Sequence, residues 1–157
     1  MSDGSIRFNV RRPMRPLGIA ASGLTAQRAR IDAISANIAN AETTRSADGT
    51  PYRRKVVNLQ EVAFEPLLMR DPERLMEQDP EDLYGGVRVT GVSEDQSEGQ
   101  LVYDPGHPDA DEKGYVMMPN VDINTEIVDL MGARRLFEAN ATVFEAVKSI
   151  LRRSTQL

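Results

Sequence analysis

Two stretches of seven-residue apolar repeat, one near each end, constrain the fold of this chain more than anything between them. From Leu17 to Ala41, apolar residues return at Leu17, Leu24, Ile31 and Ile38. Three residues after each come Ala20, Gln27, Ile34 and Ala41, an a/d pattern with one polar interruption. The spacing predicts a single helix over 17–41, about 37 Å long at 1.5 Å rise per residue, carrying a narrow sticky seam. Arg28, Arg30 and Asp32 fall off the seam and are expected to stay solvated.

The far end mirrors this pattern. Ile123, Leu130, Phe137, Phe144 and Leu151 repeat every seven, helped by Ile127, Ala141 and Val147. A second row, Leu136, Val143 and Ile150, widens the stripe and implies a helix with more than one partner. Pro119 marks the boundary before this helix. Asp122 or Asn124 is expected to cap its start, because short polar side chains satisfy the free N–H groups of a first turn. Arg152 and Arg153 stand where a helix C-terminus favours positive charge.

Between the helices the texture changes. Residues 52–57, 87–92, 100–103 and 115–118 have the β-branched and aromatic content of short strands. Gly85-Gly86 and Pro105-Gly106 punctuate them as turns. The stretch from Glu65 to Tyr84 is acidic, holds three prolines and lacks a clear period, so it reads as a surface loop. The expected class is α+β: long N- and C-terminal helices packed as a coiled-coil-like pair, antiparallel or crossing, with a small β-rich lobe between them. Residues 1–16 read as a flexible extension, 17–44 with 120–157 as a helical assembly domain, and 45–119 as the lobe with its acidic loop 65–84. Two helices alone leave apolar surface uncovered, which points to association. A monomeric hairpin whose seams the lobe closes is the plainer alternative.

Chemistry is harder to find. No run of 18 or so apolar residues exists to span a membrane, and the arginine-bearing start has no apolar core, so no cleaved secretory signal is expected. The absence of cysteine removes disulfides, thiol nucleophiles and Cys-based zinc sites. A net charge of −5 lacks the basic footprint of a nucleic-acid binder. The densest polar cluster runs from Asp104 to Glu112 around His107, the single histidine. A histidine among carboxylates suits a metal or a general base, but the neighbouring prolines and glycine suit a turn, and no second histidine completes a zinc set. Tyr52-Arg53-Arg54-Lys55 suits phosphate contact, or, more in keeping with an acidic chain, a strand edge guarded by charge. No serine sits in a nucleophile elbow and no phosphate loop is present. The expectation is no catalytic residue, no cofactor, no metal, no small-molecule substrate and no nucleic-acid partner.

Ala36-Asn37-Ile38-Ala39-Asn40-Ala41, preceded by Leu24-Thr25-Ala26-Gln27, resembles the N-terminal signature of flagellar rod, hook and hook-associated proteins. The run from Leu101 to Asp111, then Gly114-Tyr115-Val116 and Pro119-Asn120-Val121, is narrower and resembles a proximal-rod member of the flagellar basal-body rod family. Phe137-Glu138-Ala139-Asn140 fits the same family. The resemblance implies a non-enzymatic subunit of the periplasmic rod, exported through the flagellar type III apparatus without signal cleavage. It implies a helical hetero-polymer around the export channel that transmits torque to the hook. Its partners would be other rod subunits, membrane-ring and rod-base adaptor proteins, and the export apparatus. The assembly interface would comprise Leu24, Ile31, Ile34, Asn37, Ile38 and Asn40 on the first helix. On the second it would comprise Ile123, Ile127, Leu130, Phe137, Asn140, Phe144 and Leu151. Asn37 and Asn40 match asparagines of the signature, and amides on a seam fix register by demanding partners. A soluble adaptor or export chaperone with the same helices is the rival from another class, separated by concentration-dependent assembly.

Overall fold

A computed structural model describes residues 15–62 and 85–154. The acidic stretch 65–84, and residues 1–14 of the N-terminal extension, lie outside the described residues. The chain order is α1 (Arg15–Ala39), β1 (Lys55–Val62), β2 (Gly86–Glu94), β3 (Leu101–Tyr103), β4 (Tyr115–Met117) and α2 (Ile123–Ser154). This is the α+β arrangement expected from the two seams. The first helix begins at Arg15, with Pro16 in its first turn, where a missing N–H costs nothing. It stops at Ala39 and not at Ala41, because Asn40 turns back on it. The Asn40 Nδ2 donates to the Ala36 carbonyl at 2.8 Å, beside the Asn40 backbone N–H that reaches the same oxygen at 3.1 Å. Asp122, of the two candidates, caps α2. Its carboxylate accepts the Asn124 N–H at 3.1 Å and the Thr125 hydroxyl at 2.6 Å.

Each pair of strands forms its own antiparallel ribbon, β1 with β2 and β3 with β4. In the first, Asn58 faces Gly91 while Leu59 faces Val89, so Thr90 is an extra residue that bends the ribbon. The Thr90 hydroxyl donates to the Asn58 carbonyl at 3.2 Å at that point. The predicted strand at 52–57 is displaced: pairing starts at Lys55 and runs to Val62, because Tyr52–Arg54 are committed elsewhere.

The two helices lie antiparallel. Asn37 bonds Glu126, and the space above Gly23 is filled by the Asn140 amide. From Asn37 back to Gly23 is fourteen residues, and from Glu126 on to Asn140 is fourteen more. Two heptads thus separate the contacts on both helices, which fixes the register. The ribbon β1–β2 lies on a neighbouring face of α1, where Ser22 accepts the Val87 N–H at 3.2 Å. Apart from Pro119, the buried apolar side chains among the described residues are Ala20, Ala26, Ala33, Ile34, Ala41, Val116 and Ala133. Five of these seven are alanines, so elements approach closely but bury little apolar surface per residue. Larger side chains such as Val128, Met131, Leu136, Val143 and Ile150 remain in water.

Candidate functional site

The most enclosed polar groups on the described residues form one hub at the open end of the helix pair. Asn37 and Glu126 are both fully buried. The Asn37 amide reads the backbone of Lys55 as a strand would: its Oδ1 accepts the Lys55 N–H at 2.8 Å and its Nδ2 donates to the Lys55 carbonyl at 3.0 Å. The Tyr52 hydroxyl donates to the same Oδ1 at 2.9 Å. Nδ2 also donates to Glu126 Oε2 at 3.0 Å, and Arg54 Nε donates to Glu126 Oε1 at 2.6 Å. The second arm of Arg54 reaches Asp129 at 3.4 Å. Just ahead of α2, the Asn120 side chain accepts the Arg54 backbone N–H at 2.7 Å and donates to the Asp95 carbonyl at 3.1 Å.

Four segments therefore converge: the end of α1, the lead-in to β1, the end of β2 and the start of α2. A buried carboxylate is tolerable only when its oxygens are satisfied, and both are here. Removing one partner of such a pair typically costs about 3–5 kcal/mol, because the other charge stays buried alone. Burial, then the nearby Glu126 and Glu94 charges, pushes the Tyr52 hydroxyl above its ordinary value, so it stays protonated as the donor Asn37 requires. At the edge of the hub, the Ser97 N–H and hydroxyl lower the Asp95 carboxyl.

The basic run 52–55 is consequently not an edge guard. Arg54 points inward to the carboxylates, Tyr52 inward to Asn37, and Arg53 stays exposed, donating to Gln96 at 3.2 Å. His107 sits inside its turn, its Nδ1 accepting the Asp109 N–H at 3.1 Å. Asp109 leaves that turn to accept the Thr44 hydroxyl at 2.8 Å and Arg45 at 3.3 Å; these contacts hold its carboxyl below the usual range and pin the turn to the loop that follows α1.

The residues expected at the interface divide into groups. Asn37 is inside the hub, Asn40 ends its own helix, and Asn140 packs on Gly23. Ile34 is buried, while Leu24, Ile31, Ile38, Leu130, Phe137, Phe144 and Leu151 are half-buried. Ile123 and Ile127 are exposed, and Glu126 takes the inward position beside them. Heptad reading overlooked Glu126 because a carboxylate does not register as a seam residue. Its spacing, four before Leu130 and seven before Ala133, was the available signal. The second row stands open: Leu136, Val143 and Ile150 are 49%, 51% and 63% exposed. Gly132, Ala139 and Ala146 alternate with them and are exposed too, completing a second a/d seam with small residues between the large ones.

A helical hairpin stapled to a small lobe by a largely buried polar hub, with a further heptad row left exposed, belongs to the class of α+β proteins built on a pair of long helices. Comparison with known proteins narrows that class. Residues 17–45 match the family model described as flagella basal body rod protein, and residues 112–157 match the flagellar basal body rod FlgEFG protein C-terminal model. The chain is 44% identical over 147 residues to the flagellar basal-body rod protein FlgC of Borreliella burgdorferi, covering 87% of this chain and 91% of that one. It is 41% identical to FlgC of Bacillus subtilis, covering 90% and 95%, and 42% identical to FlgC of Escherichia coli, covering 88% and 92%. The chain belongs to the flagellar basal-body rod protein family.

Proposed function

We propose that this protein is a structural subunit of the bacterial flagellar rod, located in the basal body, and that its role is mechanical and not enzymatic. It assembles with other rod subunits around the export channel and carries torque toward the hook. Membrane-ring and rod-base adaptor proteins are its further partners. It reaches the periplasm through the flagellar export apparatus. Residues 17–44 and 120–157 form the assembly domain in this reading, and residues 45–119 the lobe.

The observation that carries the proposal is the open seam of α2. Leu136, Val143 and Ile150 recur at seven-residue spacing in contact with water. An isolated exposed leucine needs no explanation, but a helical row interleaved with glycine and alanine is built for another helix. The inward row and the outward row divide the labour: Phe137, Phe144 and Leu151 serve the pair, and Leu136, Val143 and Ile150 serve the neighbour.

Val143→Asp tests this. The variant is expected to keep the helix content of the isolated chain, because Val143 touches water there, yet to abolish motility and leave basal bodies without a completed rod. Phe144→Asp, on the half-buried row, is expected to lose helix content as well. Normal rods containing the Val143→Asp chain would refute the proposal, since a carboxylate does not sit harmlessly in a packed apolar seam.

A further inference from the structure

We infer that Glu126, with Asn37 and Arg54, is a positioning lock that sets both the register of the helix pair and the orientation of the lobe on it. This is a property of the single chain and stands or falls apart from the assembly reading.

Apolar packing alone specifies these positions weakly. The buried apolar side chains on the two helices are Ala20, Ala26, Ala33, Ile34 and Ala133. Alanine knobs fit the holes of one heptad setting much as they fit the next, so a slip of seven residues, about 10 Å along the axis, costs them little. The hub is different, because its donors and acceptors match in one arrangement only. Lys55 N–H and the Tyr52 hydroxyl both donate to Asn37 Oδ1, which forces the amide to present Nδ2, a donor, toward α2. Arg54 offers only donors. Between them the group must be an acceptor on both sides, and a carboxylate is the side chain that meets this. A slip of seven residues one way sets Ala133 opposite Asn37 and carries Glu126 past the end of α1. A slip the other way sets Pro119, ahead of α2, in that place. Neither side chain accepts a hydrogen bond, so in both settings the inward amide of Asn37 loses its acceptor on α2.

The lobe is fixed by the same atoms. Asn37 holds Lys55 by both of its backbone groups, and Arg54 is held through its side chain by Glu126 and through its backbone by Asn120. The ribbon cannot pivot on α1 without breaking bonds to α2. One polar residue at a seam position fixing alignment is an established use of buried polarity, and here it aligns three elements at once.

The chain has no cysteine, so introduced thiols are the sole sites for spin labels. Exposed Arg28 and Lys148, each replaced by Cys, are offset by about 20 Å along the axis and report the helix register; exposed Glu61 and Glu138 report the lobe. Two variants are measured in the full chain. Asn37→Leu with Arg54→Met and Glu126→Met replaces the cluster by apolar groups of similar size. Glu126→Gln keeps the shape but sets an NH2 group against one of two donors. The triple variant is expected to keep its helix content while the Arg28–Lys148 distance spreads or gains a second population displaced by about 10 Å. Glu126→Gln is expected to broaden the Glu61–Glu138 distance. Narrow wild-type distances in a folded triple variant overturn the inference. If the triple variant loses its helices, Glu126→Gln decides, and wild-type distances there overturn it. Loss of helix in both also overturns it, because the cluster would then hold the fold together and not choose between its alignments.

Discussion

Gly23 and Gly132 are both helical glycines, yet their replacement by alanine should have opposite outcomes. In a helix interior alanine is favoured over glycine by about 1 kcal/mol, partly because glycine has more unfolded-chain freedom to lose. A Cβ at Gly132 meets nothing within 4 Å, so Gly132→Ala should realise that gain in full. A Cβ at Gly23 would lie 2.8 Å from Asn140 Nδ2 and 3.0 Å from its Cγ. Something must then move, and the amide end of Asn140 is the movable part. Forcing it off its rotamer costs roughly 0.5–1.5 kcal/mol, and overpacking a seam typically costs about 1–3 kcal/mol. Gly23→Ala should therefore gain nothing and lose up to about 2 kcal/mol, set against the propensity term. Asn140→Ala removes the obstacle, so in that background Gly23→Ala should gain about 1 kcal/mol. Urea unfolding of the full chain, followed by helix circular dichroism, measures all four chains on one scale. A Gly23→Ala gain equal to that of Gly132→Ala would show that Asn140 does not sit on Gly23 in solution, and the antiparallel register would lose one of its two fixed points.

Two further outcomes follow from single groups. The Gln27 Oε1 is buried without a hydrogen-bond partner among the described residues, so Gln27→Leu should stabilise the chain by about 1–2 kcal/mol in the same urea assay. The Asp122 carboxyl is held below its ordinary value by the Thr125 hydroxyl and the Asn124 N–H, and Asp109 by Thr44 and then Arg45. A depressed carboxyl contributes stability above its unfolded pKa of about 3.9 that is lost as pH falls through the lower folded value. Melting temperature should thus drop in that acid window, and less so in Asp122→Asn, which keeps an acceptor at the cap without the titration. For Tyr52 the sign is reversed. Its raised pKa makes the hydroxyl's contribution present below about 10 and lost as pH climbs beyond that, a loss absent from Tyr52→Phe.

The helices were legible because period is a strong signal: Leu17 to Ala41 and Ile123 to Leu151 repeat over several turns. Even the outward row, Leu136, Val143 and Ile150, stood out as a second stripe, and it is exposed in the structure. Strand positions were legible to within a few residues, and the largest displacement has a physical cause. Tyr52–Arg54 carry strand-like side chains, but the hub takes their hydrogen-bonding groups, so pairing begins only at Lys55. The hub itself was half visible. Asn37 stood out as an amide on a seam, whereas Glu126 and Arg54 looked like ordinary surface charges, and nothing local says that residues 72 apart will meet. A pairing between distant polar residues has no period, so it emerges only once the helices have fixed each other's position.

The placement of hub and seam on α2 explains how one helix serves two purposes. At 100° per residue, Leu136 lies ten residues beyond Glu126 and so about 80° around the axis, with Val143 and Ile150 drifting to roughly 100–120° on the same side. Phe144, eighteen residues from Glu126, completes five turns and returns to the hub's own face. A neighbour on the outer row would thus approach α2 from the flank and would not compete with α1. A lock of this kind would hold its alignment before any neighbour arrived, and the outer row would already be presented at a set angle to the lobe. Damage to the two should be separable: changes at Glu126 alter the geometry within the chain, while changes at Val143 leave that geometry intact and remove only the surface another helix would cover.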